Sequence, residues 1–349
     1  MLAPEEALAR VLEACAPLES VLQPCPPSVG SVLSEDVFSH VSVPVRDVSR
    51  LDGYAVRSSD VPGKLLVVGS SPAGGGGPGV VERGTCVYVG TGGVLPRGAD
   101  AVIGVEESRG IFDDESGREE QVDLRVSVVP GAGIRPAGSD IQVGDLLASG
   151  GSVVDAGLCA TLAAARVARV RVTRIPVVGV LSTGDEVASG EIGDANRPAL
   201  LASLQSLGVR TVDLGTIGDD YDQLYTAIRR ALAQCDAIVT TGGVSMVSGG
   251  PGVPGIRFGR VCMKPGKPTT FAVLPPSYVL PRGQPRLFFA LPGNPASALV
   301  SFALFVAPGL RRLMGVPIPL CPPPRLQAVT LSPLRQDHQR PEYHRAIAW

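Results

Sequence analysis

The sequence predicts a multidomain α/β protein in which one domain is a doubly wound, mostly parallel sheet. Between residues 175 and 310, apolar strands alternate with helical segments, the pattern of a parallel sheet with helices on both faces. Between residues 65 and 134, short strands and turn clusters follow one another without a helical period, which favours a small β-barrel or sandwich. A chain of 349 residues is also too long for one ordinary core.

The spacing of apolar residues gives the expected bounds of these elements. Near the N-terminus, the apolar stripe of Leu8, Val11 and Leu12 behind Pro4 predicts an amphipathic helix that needs a surface to pack on. In the parallel sheet, strands are expected at Ile175–Leu181, Val209–Leu214, Ala237–Val239 and Leu287–Leu291, and helices at Pro198–Leu207, at Tyr221–Ala233 and through Leu310.

Composition and charge argue against several classes of function. The net charge is −2 and basic residues are spread along the chain, so nothing indicates a nucleic-acid or anionic-membrane surface. Acids stand where a signal peptide has bases, and arginines interrupt the apolar runs, so we expect a cytoplasmic protein without membrane insertion. The seven cysteines lack Cys-x-x-Cys pairs, which favours reduced structural thiols over zinc ligands or disulfides.

Small polar residues follow three of the predicted parallel strands. The loops are Ser182-Thr-Gly-Asp-Glu186, Thr240-Thr-Gly-Gly-Val-Ser245 and Pro292-Gly-Asn-Pro-Ala-Ser297. Because ligands of such sheets bind at the carboxyl ends of the strands, we expect the three loops to meet at one edge. Glycines there let backbone N–H groups approach a phosphate or another oxyanion. For the second loop taken alone, a plain strand-to-helix turn is an equal alternative.

A turn with two lysines lies between the third and fourth strands. Lys264 and Lys267 bracket Pro265-Gly266, so the turn can present both ammonium groups to one side. In a nearly neutral chain, such a pair suits a small dianion. The alternative is an ordinary solvated turn, although unpaired lysines would be costly beside apolar strands.

Carboxylates near the strand ends complete the candidate site. Glu186, Asp219 and Asp220 are candidates to hold a hydrated Mg²⁺ beside a phosphate, since this ion binds through one or two carboxylates. Asp220 precedes the helix expected from Tyr221, so an N-cap is the alternative role for it. All three histidines are far in sequence from these loops, which argues against a Ser/His/Asp arrangement. Positioning and electrostatic stabilisation of phosphoryl or nucleotidyl chemistry fit better.

Eight short motifs follow one another along the chain. They are Ser49-Arg-Leu-Asp-Gly-Tyr-Ala-Val56, Gly90-Thr-Gly-Gly93 with Gly98-Ala-Asp-Ala-Val102, Gly138-Ser-Asp-Ile141, Ser182-Thr-Gly-Asp-Glu186, Thr241-Gly-Gly-Val-Ser-Met246, Lys264-Pro-Gly-Lys-Pro268, Leu291-Pro-Gly-Asn-Pro-Ala-Ser297 and Arg340-Pro-Glu-Tyr-His-Arg345. Together they resemble the molybdopterin molybdotransferases, the molybdenum insertases that include bacterial MoeA, the plant insertase domain and the E domain of gephyrin.

The resemblance implies a homodimer of four-domain subunits. The reaction would convert adenylylated molybdopterin and molybdate, with Mg²⁺, into molybdenum cofactor and AMP, and a molybdopterin adenylyltransferase domain or protein would be a partner. The implied domains are an elongated N-terminal dimerisation domain at 1–43 plus 139–170, an inserted β domain at 44–138, a MogA-like α/β ligand-binding domain at 171–313 and a partial, truncated C-terminal β domain at 314–349.

The resemblance also implies roles for individual residues. Asp219 and Asp220 would hold the metal, and Asp52, Thr91, Asp140 and Glu186 match positions tied to activity, the first three facing the partner subunit's cleft. Other matching residues would bind substrate, namely Thr183, Gly184, Gly242, Gly243 and Ser245 around the phosphates, Lys264, Lys267, Pro268 and Ser297 around molybdate, and Thr241, Asn294 and Arg340 as further binding residues.

Two departures from the family pattern keep other functions open. The stretch from Val247 to Gly255 is short and lacks the acid that the family uses for the metal, and the family's C-terminal β domain extends beyond a point equivalent to Trp349. One alternative is therefore a catalytically impaired ligand-binding or scaffold form. A generic sugar-phosphate or nucleotide enzyme is another, which rests on fold analogy alone.

Overall fold

The computed structural model describes residues 1–73, 79–113, 115, 117, 119–242, 255–275, 285–331, 333–334 and 337–346. The chain divides into two compact units. The α/β unit contains residues 1–36, 149–159 and 169–349, and the β unit contains residues 37–148 and 160–168. The four domain boundaries given above stay predictions.

The helices and strands of the described residues run as follows. The helices are α1 (Pro4–Ala14), α2 (Ala156–Ala164), α3 (Asp185–Ala188), α4 (Asn196–Ser206), α5 (Tyr221–Leu232), α6 (Pro295–Ser301) and α7 (Ala307–Leu313), the last two joined by a π-helical segment at Phe302–Val306. The strands are β1 (Ser20–Pro24), β2 (Val37–Phe38), β3 (Val48–Ser49), β4 (Gly53–Val56), β5 (Gly63–Ser71), β6 (Thr85–Val89), β7 (Ala101–Gly104), β8 (Ser108–Phe112), β9 (Glu119–Leu124), β10 (Ile134–Arg135), β11 (Leu146–Ala148), β12 (Arg169–Thr173), β13 (Val177–Thr183), β14 (Arg210–Ile217), β15 (Ala237–Thr241), β16 (Ile256–Phe258), β17 (Thr270–Leu274) and β18 (Arg286–Leu291).

The α/β unit is built on a six-stranded sheet with the order β14-β13-β15-β18-β17-β16. The first four strands are parallel, which confirms the predicted α/β fold, and β17 and β16 add an antiparallel edge. Parallel pairing in β13, β15 and β18 places Val180 beside Val239 and Val239 beside Phe289. The strand ends therefore lie side by side, as the sequence predicts.

Both faces of this sheet are covered, because neighbouring residues of its strands point in opposite directions. Val239 and Phe289 pack in one core with residues of α1, α4 and the α6–α7 segment, among them Val11, Leu200 and Phe305. Their neighbours Ile238, Phe288 and Ala290 pack on the other face with Ala231 and Leu232 of α5. The continuous apolar runs of the sequence follow from this double burial.

The helical stretch from Pro295 to Leu313 is the core helix of this unit. By length and composition alone it would suffice to cross a membrane, and it is the one such stretch in the described part of the chain. Phe305, Val306 and Leu310 are fully buried against the sheet. Burial of this kind is typical of a helix inside a globular core.

The β unit contains a second six-stranded sheet, with the order β7-β4-β6-β5-β9-β8. Neighbouring strands are antiparallel except for β5 and β6. Tyr54, Ile103, Val122 and Leu124 form its core. The short pairs β2–β11 and β3–β10 belong to the same unit. The β-rich segment that the sequence predicts is thus present.

Candidate functional site

Hydroxyl groups tie the carboxyl ends of β13 and β15 together. Thr183 Oγ1 donates to the carbonyl of Thr241 at 3.1 Å, and Ser182 Oγ lies 3.2 Å from Thr241 Oγ1. All three residues are nearly inaccessible, with exposed fractions of 2 to 5%. Because their hydroxyls bond within the wall, Thr183 and Thr241 hold the strand ends in place.

Gly242 begins the loop after β15 with a φ of +78°. A Cβ at this position would lie 2.2 Å from the carbonyl oxygen of Thr183, so only glycine fits both the dihedral and the space. Gly184 also has a positive φ, but its N–H donates to the carbonyl of Ile217 at 3.2 Å and is already used. Gly243 and Ser245, predicted to bind phosphate, lie outside the described residues.

A cleft of about 190 Å³ opens at these strand ends, and we refer to it as the edge cleft. Described residues of all three polar loops line it, as the sequence predicts. Its wall includes Ser182, Thr183, Glu186, Asp194, Asn196, Thr241, Gly242, Gly293 and Pro295.

Asp194 and Asn196 belong to the edge cleft and are missed by the sequence reasoning. The Asp194 carboxylate accepts hydrogen bonds from Ser182 Oγ at 3.0 Å, from Thr216 Oγ1 at 3.2 Å and from the N–H and Nε of Arg197. Burial raises the pKa of Asp194, but these hydrogen bonds outweigh burial and lower it overall. Asn196 Nδ2 donates to the carbonyl of Gly293 at 2.7 Å, and its buried Oδ1 has no partner among the described residues.

A second cleft, of about 270 Å³, contains Lys264, and we refer to it as the lysine cleft. Lys264 Nζ lies 2.7 Å from Glu342 Oε1. Arg340 is paired as well, with Asp337 Oδ2 at 2.8 Å. Lys267 and Pro268 are exposed, and Lys267 has no ion pair among the described residues. The other wall residues are Pro265, Ala296, Val300, Tyr343, His344 and Arg345.

The first turn of α6 separates the two clefts. Pro295 lines the edge cleft, whereas the next residue, Ala296, lines the lysine cleft. Asn294 caps this turn by accepting from the Ser297 N–H at 3.2 Å, so both of these predicted ligand residues serve the helix start. The clefts are therefore neighbours at one edge of the sheet.

Asp219 and Asp220, the predicted metal ligands, have different environments. Asp220 caps α5, with Oδ1 accepting from the Gln223 N–H at 2.9 Å, which confirms the N-cap interpretation. Asp219 is exposed, and its N–H donates to Asp185 Oδ1 at 2.8 Å. No group of three metal-ligating side chains occurs among the described residues.

Replacement of Asp220 by alanine tests the cap. We expect a loss of about 1 kcal/mol in the free energy of unfolding, because the backbone and side-chain amides of Gln223 both lose their acceptor. The measurement is a urea titration beside Asp222→Ala, which removes the same charge from the same turn without removing the cap. Equal losses in the two variants would contradict the cap.

The β unit holds Asp52, Thr91 and Asp140. Asp52 Oδ1 accepts from the N–H and the hydroxyl of Thr91 at 2.6 and 2.9 Å, and these bonds lower the pKa of Asp52. Asp140 pairs with Arg135. Thr91, Arg135 and Asp140 line one cleft of about 470 Å³ together with Arg50. Three of the four residues predicted for activity are thus held within this unit, while Glu186 lines the edge cleft.

Comparison with known proteins gives consistent matches. Residues 2–165 match the model of the MoeA N-terminal region (domain I and II), and residues 179–249 match a probable molybdopterin binding domain. The chain is 32% identical to molybdopterin molybdenumtransferase 2 of Mycobacterium tuberculosis, over 98% of this chain and 86% of that protein.

Two further matches concern a longer relative and a solved structure. The chain is 32% identical to gephyrin of Dictyostelium discoideum over 99% of its length, and it spans 55% of that protein. A molybdopterin biosynthesis MoeA protein from Pyrococcus horikoshii superposes with a TM-score of 0.72 at 26% identity, over 91% of this chain and 80% of the other.

Proposed function

The chain belongs to the molybdopterin molybdenumtransferases of molybdenum cofactor biosynthesis, and from that premise we propose that it inserts molybdenum from molybdate into adenylylated molybdopterin, with release of AMP. The observation that carries this proposal is the proximity of two clefts on either side of one helical turn. One presents glycine backbone at the strand ends, and the other presents an ammonium group.

The two clefts would bind different parts of the substrates, the adenylate phosphate in the edge cleft and molybdate in the lysine cleft. Gly242, whose lack of a side chain lets it pack against the Thr183 carbonyl, would place its backbone beside the adenylate phosphate, and the hydroxyls of Thr183 and Thr241 hold that wall in place. Lys264, with Arg345 in the same cleft, attracts the molybdate dianion. Catalysis of this kind rests on holding the reacting groups in place and on matching their charge.

The donor set also fits Mg²⁺, provided that the substrate phosphate completes it. Magnesium keeps several waters and binds proteins through one or two carboxylates plus phosphate oxygens. Asp219 is exposed and adjoins Asp185, so these two would hold the ion, whereas Asp220 is committed to its helix. When bound, the ion would neutralise charge on the phosphate as the adenylyl bond breaks.

The direct test is AMP release by the purified protein supplied with adenylylated molybdopterin, Mg²⁺ and molybdate. We expect AMP to appear with molybdate and only at a background rate without it. AMP release that does not depend on molybdate, or no release while the pterin binds, would overturn insertion as the activity.

Replacement of Lys264 by glutamine tests the lysine cleft. A hydrogen bond to a charged group contributes about 1.5–3 kcal/mol, so we expect the KM for molybdate to rise at least about tenfold. AMP affinity should be unchanged, because Lys264 does not line the edge cleft. Lys64→Gln in the β unit is the matched control. An unchanged KM for molybdate would place the oxyanion elsewhere.

We also propose a cytoplasmic homodimer that receives its pterin from a molybdopterin adenylyltransferase domain or protein. Exposed apolar side chains support an interface in the β unit, since Phe38 and Leu146 are adjacent in the β2–β11 pair and about half exposed. Light scattering of the purified protein tests the dimer. A monomer at micromolar concentration would contradict it.

A ligand-binding form without turnover is the second candidate. It is favoured by the stretch 247–255, which contains no acid, and by the lack of a three-acid cluster among the described residues. This candidate predicts tight binding of the adenylylated pterin without AMP release. If an aspartate introduced into the stretch restores release, the missing acid is the cause.

A further inference from the structure

Residues 337–345 cross the lysine turn and fix Glu342 beside Lys264. The Lys264 N–H donates to the carbonyl of Pro341 at 2.9 Å, and the Tyr343 N–H donates to the carbonyl of Lys264 at 2.8 Å. These two bonds form a parallel β-bridge between Lys264 and Glu342. Glu342 is therefore held next to the lysine by main-chain bonds, independently of the attraction between their charges.

The Glu342 carboxylate is the more enclosed member of the pair. Its side chain is 12% exposed, against 53% for Lys264. Oε1 lies 2.7 Å from Lys264 Nζ, while Oε2 accepts from the Asp337 N–H at 3.0 Å and lies 3.3 Å from His344 Nε2. The carboxylate thus occupies, inside an anion-binding cleft, the place that an oxyanion would take on the lysine.

We propose that Glu342 is an internal counter-ion that sets the affinity and the charge selectivity of the lysine cleft. Its carboxylate holds the ammonium group until a dianion replaces it. This inference rests on the proposed function in one respect, namely that molybdate binds at Lys264.

Charge selectivity follows from comparing the carboxylate with its competitors. A monoanion that takes Lys264 from Glu342 exchanges one single-charge attraction for another, and it also meets the repulsion of the displaced carboxylate. A dianion doubles both the attraction to the ammonium and the repulsion from the carboxylate, because Coulomb energy scales with the product of the charges. Since it lies closer to the ammonium than to the displaced carboxylate, the doubled attraction exceeds the doubled repulsion, and the dianion gains more than a monoanion. Arg345 in the same cleft favours the dianion further, and Arg340 stays paired with Asp337. Glu342 therefore excludes monoanions such as nitrate or chloride.

The experiment titrates the full chain and its Glu342→Gln variant with molybdate and with nitrate by calorimetry, without pterin and at constant ionic strength. An exposed ion pair contributes up to about 1 kcal/mol, and loss of the repulsion adds to it, so we expect molybdate to bind about five- to tenfold more tightly to the variant. Nitrate should compete with molybdate in the variant and not in the original chain.

Controls separate this effect from a general loss of negative charge. Glu6→Gln removes one carboxylate from a surface pair with Arg10 in α1, and it should change neither affinity. Glu342→Asp keeps the charge but shortens the side chain, and it should give an intermediate affinity for molybdate. The shorter variant also provides a test if the glutamine variant does not fold.

The outcomes separate this inference from the proposed function. Molybdate binding that needs Lys264 but is unchanged or weaker in Glu342→Gln overturns the counter-ion role and leaves the proposed function intact. Molybdate binding that ignores both Lys264 and Glu342 overturns both. Tighter molybdate binding with new competition from nitrate supports the inference whether or not AMP is released.

Discussion

Replacing Gly242 by alanine is expected to weaken nucleotide binding strongly and to destabilise the α/β unit. A left-handed dihedral costs an alanine about 1–2 kcal/mol, and an overpacked site costs a further 1–3 kcal/mol or so. Here the new Cβ would lie 2.2 Å from the Thr183 carbonyl, which must move. We therefore expect a loss of about 2–5 kcal/mol in the free energy of unfolding. AMP affinity should fall about 100-fold, since a misplacement of 1 Å or so has effects of that size.

Gly208→Ala is the matched control for this prediction. Gly208 has a φ of +74°, and a Cβ there would meet nothing within 4 Å. This variant shows the cost of the dihedral alone, and the difference between the two variants isolates the clash with Thr183. Urea titration and AMP calorimetry measure both effects. Equal destabilisation in the two variants, or retained AMP binding in Gly242→Ala, would contradict the close approach.

Replacing Asp236 by asparagine is expected to cost about 3–5 kcal/mol, the usual penalty for breaking a buried ion pair. Asp236 is 6% exposed at the start of β15. Its carboxylate accepts from both terminal nitrogens of Arg174 at 2.8 and 2.9 Å, from Arg286 Nη1 at 3.1 Å and from the Val177 N–H at 2.8 Å. The substitution removes the counter-charge of Arg286 and leaves Arg174 with Glu19, a more exposed partner. The measurement is the urea midpoint at neutral pH.

The pH dependence of stability provides a second readout for Asp236. Burial raises the pKa of this carboxyl. Hydrogen bonds from Arg174 and Val177 and the charges of Arg174 and Arg286 lower the pKa by more than burial raises it, so it lies below its usual 3.8. Its contribution is therefore complete above the pKa of the unfolded chain and is lost as pH falls through the lower pKa of the folded one. The gap between the original chain and Asp236→Asn should narrow below about pH 4. A gap independent of pH would show that the charge is not responsible.

The edge cleft can be predicted from the sequence because each of its loops is marked by a short run of neighbouring residues. An apolar run followed by Thr and Gly marks the end of a buried strand, and parallel pairing then brings such ends together without further information. Thr183, Thr241 and Gly242 are found in this way. What the pattern cannot show is that the hydroxyls bond to each other rather than to a ligand, because that depends on the register of β13 against β15.

Two parts of the candidate site lie beyond what such patterns can predict. Asp194 lies in the loop between α3 and α4, and Asn196 is the first residue of α4, so no strand end marks either residue, although an acid just before a helix start is a signal for this position. The pairing of Lys264 with Glu342 depends on a β-bridge between residues distant in the chain. Each of these arises from tertiary packing, which a single sequence does not encode as a local pattern.

The bridge between Lys264 and Glu342 joins two residues that are translated at different times. The ribosome releases every strand of the central sheet, through Leu291, well before it adds Glu342. A nascent chain can therefore finish its sheet while the ammonium group of Lys264 is still bare and open to any passing anion. In the proposal above, selectivity against monoanions is therefore added only once Glu342 has been translated and lies against Lys264, after the strands of the sheet.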